Sequence, residues 1–147
     1  MSGRKKNKGF TLIEGVIVMA IIAILFGLAS PYLLGNKEKN LLDTEREKVA
    51  NQLRVAKQKA IGAYGGYDYK VIFDLGGQQV RINPGGPTVS LPTSIEITDA
   101  SPLEVTFLRI SGEPNSSLGV TLESKRFRCQ ISLSEEGIIE STFPERR

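Results

Sequence analysis

Histidine and tryptophan are absent from this chain, and cysteine occurs once, at Cys129. With no imidazole there is neither a histidine metal ligand nor a histidine base, which excludes the common zinc sites and Ser-His-Asp chemistry. One thiol cannot close a disulfide within the chain, even in an oxidising compartment. A phosphate loop of the G-x-x-x-x-G-K-[ST] type is also missing, so any nucleotide-driven step belongs to another protein. Cys129 shares strand parity with Phe127, Ile131 and Leu133, the pattern of a small buried core residue. Asp68, Asp74, Asp99 and Glu113 could supply acids to a tethered enzyme, but nothing in their spacing fixes a separation, and scattered carboxylates are ordinarily surface charge. The sequence therefore argues against an enzyme and for a chain that needs no cofactor and no metal.

Charge is missing from one long stretch as well. Between positions 10 and 34 the only charged side chain is Glu14. About 25 helical residues at about 1.5 Å each span roughly 37 Å, more than the roughly 30 Å hydrocarbon core of a bilayer, so 10–34 has the length of a membrane helix. A carboxylate inside such a helix costs about 3 kcal/mol on insertion scales, which makes Glu14 a candidate functional residue. Ahead of it stands a basic leader, residues 1–9, with Arg4, Lys5, Lys6 and Lys8. A cut after Gly9 would give Phe10 a free α-amino group, a cation four residues before Glu14 and so about one helical turn away. The same amine could instead meet the carboxylate of a neighbouring molecule, and each such pair would fix the axial offset between two helices.

Lys8-Gly9-Phe10-Thr11-Leu12-Ile13-Glu14, followed by the apolar run through Val16, Met19 and Leu25, resembles the prepilin signal shared by type IV pilins and type II secretion pseudopilins. The resemblance implies cleavage between Gly9 and Phe10 by a prepilin peptidase, N-methylation of the Phe10 amine, and pairing of Glu14 with a Phe10 amine during filament assembly. It implies as partners that peptidase, other pilin or pseudopilin subunits, an inner-membrane assembly platform with a separate ATPase, and the lipid bilayer. Gly15 departs from the family, many of whose members carry a bulkier apolar residue there. The implied location is the inner membrane, with the N-terminus cytoplasmic and the C-terminal domain periplasmic or extracellular, and then the filament. The basic N-terminal side predicts the same orientation. Two alternatives leave a monomer: a secretory signal peptide cut near Ala29-Ser30-Pro31, and an uncleaved anchor with a snorkelling Glu14.

Net charge agrees with a removable leader. The whole chain carries 19 Lys plus Arg against 16 Asp plus Glu, or +3. Without the four leader cations the balance is 15 against 16, or −1.

From 35 to 61 the pattern is an amphipathic helix. Leu42, Val49, Leu53, Ala56 and Ala60 draw one stripe along it, and the other faces, with Glu45 and Arg46 among them, read as a solvated mixed-charge surface. Joined to 10–34 this makes one helix of about 50 residues, about 75 Å long, its first half reaching out of the domain and its second half packed on it. Gly27 and Pro31 interrupt the pattern; alone they predict a mild kink, and the resemblance makes 27–31 the candidate for local melting when subunits pack. Gly62, Gly65 and Gly66 end the helix. Residues 62–147 read as β-rich, with extended segments at 69–74, 78–82, 94–98, 103–110, 119–123, 127–133 and 138–142, a loop at 84–87, and no further helix. The expected fold is α+β: a long N-terminal helix packed on a small antiparallel sheet or two, pilin-like.

Phe107 with Gly112, and Ile131-Ser132-Leu133 before Gly137-Ile138-Ile139, are similar to the C-terminal strands of H-type minor pseudopilins and FimT-like minor pilins. The function this suggests is a minor structural subunit. A second reading is a DNA-binding minor pilin of a natural-transformation pilus, through a basic patch at Lys125, Arg126 and Arg128 around Phe127, which would bind nucleic acid in a salt-dependent way. Glu123, Glu135, Glu136, Glu140 and Glu145 stand close by in sequence and favour a solvated mixed surface instead.

Overall fold

The structure, a computed structural model, describes residues 12–147, the side chains of 27–35 excepted. Leu12–Ile61 forms one α-helix of 50 residues, α1. Its backbone is helical through Gly27 and Pro31. Two compact units divide the chain, residues 1–36 and 37–147, and α1 contributes to both.

In the first unit every large apolar side chain from Leu12 to Phe26 is exposed, up to 86% at Leu12. A helix apolar on all sides has no stripe to turn toward a core and is completed by lipid or by other helices. Among the described residues no helix is long and apolar enough to cross a membrane. The expected span 10–34 starts before Leu12 and runs into 27–35, so its first two residues and the side chains of its last eight lie outside what the structure describes.

The second unit is organised by the stripe on α1. Leu42, Val49, Leu53, Ala56 and Ala60 are all fully buried, each large one contributing about 1.5–3 kcal/mol of burial. The helix closes where Gly62 N donates to Gln58 O at 2.9 Å, Ala63 turns left-handed at φ 49, and Tyr64–Gly66 makes one 3-10 turn. That turn is the single helical addition after Ile61 among the described residues. Nine strands follow: β1 (Tyr69–Asp74), β2 (Gln79–Asn83), β3 (Thr88–Ser90), β4 (Glu96–Ser101), β5 (Glu104–Phe107), β6 (Leu118–Glu123), β7 (Phe127–Leu133), β8 (Ile139–Ser141) and β9 (Glu145–Arg146). They form two antiparallel sheets, one in the order β3-β2-β1-β5 and one in the order β4-β6-β7-β8 with β9 also on β7.

Alternation places the inner faces. Val71 and Phe73 of β1, Val80 and Ile82 of β2, Val120 and Leu122 of β6, and Phe127, Cys129, Ile131 and Leu133 of β7 are buried, and all share one core with the α1 stripe. The result is an α+β, pilin-like unit, a helix packed against two antiparallel sheets, as the sequence led one to expect. The bounds shift at β4 and β5, and two further expectations are corrected. The seven extended segments become nine strands, because β3 and β9 are too short and polar to show a pattern. Glu45 and Arg46, read as solvated, are 3% and 7% exposed: they sit at the edges of the stripe, and Arg46 is covered there by Thr142 and Phe143 of the C-terminal tail.

Candidate functional site

Glu14 lies in the first turn of α1 and is exposed. A carboxylate in that turn favours the helix by its interaction with the N-terminal end of the dipole. Gly9 and Phe10, the expected cleavage and methylation positions, lie outside the described residues, as do the side chains at Gly27 and Pro31. Gly15 follows Glu14, and a Cβ built there meets nothing within 4 Å. The chain's own packing therefore does not require glycine, although glycine costs a helix about 1 kcal/mol relative to alanine.

The basic residues gather on the β6–β7 hairpin but do not make a surface of one sign. Lys125, Arg126 and Arg128 are exposed. Arg128 pairs in register with Glu123 on one side and Glu145 on the other. Arg147 Nη1 lies 3.2 Å from Glu123 Oε2, and the Arg126 amide donates to Glu38 Oε1 at 3.1 Å. A phosphate backbone approaching this hairpin would meet carboxylates between the cations, which removes most of the electrostatic gain.

The candidate acids are dispersed. Asp68 Oδ1 accepts from the Arg109 amide at 2.8 Å and Asp74 Oδ1 from the Gly77 amide at 2.9 Å, so both shape loops. Asp99 sits at an irregularity of β4, and Glu113 is exposed in a loop. Among the described residues no cluster of three or more Cys, Asp or Glu could hold a metal.

Sequence reasoning missed a polar seam on α1. Glu45 Oε1 accepts from Lys48 Nζ at 2.7 Å, and Glu45 Oε2 is buried with no protein partner. Arg46 Nη2 lies 2.9 Å from Asp43 Oδ1, Nη1 donates to the Thr142 carbonyl at 3.2 Å, and the guanidinium stands 5.0 Å from the Phe143 ring centre. The seam holds the C-terminal tail to the helix. The available signal was the i,i+3 pairs Asp43–Arg46 and Glu45–Lys48 flanking the apolar stripe, a pattern shared with many exposed helices.

Cys129 is 2% exposed, and burial pushes its thiol up to about 11, partly offset by the positive charge of Arg46. The neutral thiol is favoured in the fold, so this contribution is fully present below the ordinary value of 9.0 and is lost as pH rises from there through about 11. At pH 8 iodoacetamide should alkylate the native chain at least about 100-fold more slowly than the unfolded chain, since thiolate is the nucleophile and two units of pKa separate the states. Equal rates would show that Cys129 is not a core residue.

A helix packed on two antiparallel sheets, extended by an exposed apolar stretch with an acid in its first turn, is a pilin-like architecture. Residues 4–30 match the family described as the prokaryotic N-terminal methylation motif. The chain is similar to type II secretion system core protein G of Klebsiella pneumoniae, 40% identical over 60 residues, covering 41% of this chain and 39% of the relative. Core protein G of Escherichia coli (strain K12) is 38% identical over 64 residues, covering 44% and 41%, and that of Vibrio cholerae serotype O1 is 38% identical over 64 residues, covering 44% and 40%. The chain thus carries the methylation motif and is a distant homologue of core protein G, while spanning about two fifths of the length of these relatives. No solved structure matches it. The likeness to H-type pseudopilins and FimT-like pilins, drawn from short strands with a turn glycine, is not supported: the matches run to core protein G.

Proposed function

We propose that the chain is a structural subunit of a type II secretion pseudopilus or a closely related pilus, inserted in the inner membrane through 10–34 and assembled through that helix. The observation that carries this reading is the methylation motif over 4–30 on a helix whose apolar side chains, Leu12 to Phe26, are all exposed. Prepilin peptidase removes 1–9, and the amine of Phe10 on one subunit neutralises Glu14 of a neighbour. Segment 35–61 carries the β-rich domain 62–147. Helix 27–31 is the part that loosens when subunits pack, because Pro31 supplies no amide to the ladder. Gly15 supports the packing role: a residue with no Cβ and nothing against it admits the backbone of a second helix. The partners are other subunits, the peptidase, and an assembly platform with its own ATPase.

The H-type likeness that suggested a minor subunit is not supported, and the reading is a structural subunit, minor or major. DNA binding has less support, since Glu38, Glu123 and Glu145 interrupt the basic hairpin.

The direct test is the mass of the mature N-terminus. Material from membranes should begin at Phe10, one methyl group heavier than the unmodified residue. A chain that still begins at Met1, or that starts near Pro31, contradicts the processing and with it the assembly role.

A further inference from the structure

Beyond the C-terminal end of α1 the second unit carries an apolar surface that its own fold leaves uncovered. Tyr64, Tyr67 and Ile110 are 67, 60 and 69% exposed, and Ile61 and Leu108 lie beside them, also exposed. Backbone contacts gather these side chains: Ile110 N donates to Ala60 O at 2.9 Å, Arg109 N donates to Asp68 Oδ1 at 2.8 Å, and the Tyr69 hydroxyl donates to the Tyr64 carbonyl at 2.9 Å. The arrangement is held in a strained backbone. Ile110 has φ 77, a region β-branched residues rarely enter, and its side chain is 69% exposed. Gly112, at φ 68, has no room for a Cβ because Ile61 lies against it. Two cations rim the surface, Lys59, whose Nζ stands 5.6 Å from the Tyr69 ring centre, and Arg109. Neither has a carboxylate partner among the described residues.

A complementary surface exists on the same chain. Ser132 of β7 and Glu140 of β8 are cross-strand neighbours on the face of their sheet turned away from the core, alternating with buried Ile131 and Leu133. With Glu135, Glu136 and the half-exposed Ile138 they line a groove of about 560 Å³. Its three carboxylates have no cation partner among the described residues.

We propose that the apolar, cation-rimmed end of one chain docks in the acidic groove of a second copy of the same chain. Charge complementarity selects the occupant: unpaired Lys59 and Arg109 around exposed aromatic surface meet unpaired Glu135, Glu136 and Glu140 around exposed Ile138. The two surfaces adjoin at Lys57, whose Nζ donates to the Gly137 carbonyl at 2.8 Å beside the groove and whose stem lies close to Gly112 beside the end surface. A contact between two different surfaces of identical chains is heterologous, and its repetition adds further copies. The inference deepens the filament reading and rests on it.

Disulfide capture between full-length chains in membranes tests it. Tyr67→Cys on one chain and Ser132→Cys on another should oxidise to a dimer, with Thr88→Cys in place of Ser132→Cys as the background. Arg109→Glu on the first chain should lower the yield about tenfold, and Glu140→Arg on the second should restore it. A yield no higher than the Thr88→Cys background, or a loss that Glu140→Arg does not rescue, overturns the docking. Filaments without the crosslink remove only this contact. A rescued crosslink in a chain that never forms filaments removes the filament reading and leaves the contact standing.

Discussion

Glu14→Ala should abolish incorporation into filaments while leaving the cut after Gly9 intact. In the proposed assembly the carboxylate is buried among apolar helices with one compensating charge, the Phe10 amine of a neighbour. Removing one member of a buried pair costs about 3–5 kcal/mol, because the other charge stays desolvated. At about 1.4 kcal/mol for each factor of ten, that weakens every subunit addition by more than about 100-fold. Glu14→Gln should fail similarly, since it keeps the shape and loses the charge, whereas Glu14→Asp should retain part of the activity. Sheared-filament yield and the mass of the membrane-held chain separate the two steps. An alanine variant that is processed and incorporated at the level of the unsubstituted chain would falsify amine pairing as the registration device.

The parts of this molecule legible in the sequence are those whose chemistry is local. Basic leader, Gly9, Phe10 and Glu14 stand within a few residues of one another, and the matched stretch 4–30 contains them all. The β1 and β7 bounds follow from alternation alone, because every second residue from Tyr69 to Phe73 and from Phe127 to Leu133 is buried. β5 ends earlier than the apolar residues suggest: the Leu108 amide donates to Glu113 O and Gly112 N to Leu108 O, so 108–112 turn back instead of extending. β4 starts later than expected because Ile95 N closes a turn on Pro92 O. β3 and β9 exist only through backbone pairing with β2 and β7, and Thr88, Ser90, Glu145 and Arg146 carry no pattern that announces it. The polar seam was illegible for the same reason: Arg46 is buried by Thr142 and Phe143, residues 96 positions or more away.

That distance makes Arg46 the second position where a single change should have a large effect. Its side chain is 9% exposed and serves four groups at once: Asp43, the more distant Glu47 carboxylate at 3.5 Å, the Thr142 carbonyl and the Phe143 ring. Arg46→Ala strands the Asp43 carboxylate and the Thr142 carbonyl and opens a gap under the tail, and the loss should be about 3 kcal/mol. Arg46→Lys should recover less than half of it, because an ammonium cannot hold the planar geometry that spans an acid, a carbonyl and a ring. Urea unfolding of the detergent-solubilised chain, followed by circular dichroism, reads the stability. Hydrogen exchange at the Thr142 amide, which donates to Gln130 O at 2.8 Å, reads the tail directly and should speed up in Arg46→Ala. Cys129 supplies an independent check. Arg46 lowers the pKa of that thiol, so in a folded alanine variant the thiol should titrate still higher, whereas a variant that has merely lost its core would move toward the ordinary value. An upward shift together with faster Thr142 exchange locates the damage at the seam, and an unchanged unfolding midpoint would show that the tail is held by β9 and Arg147 without it.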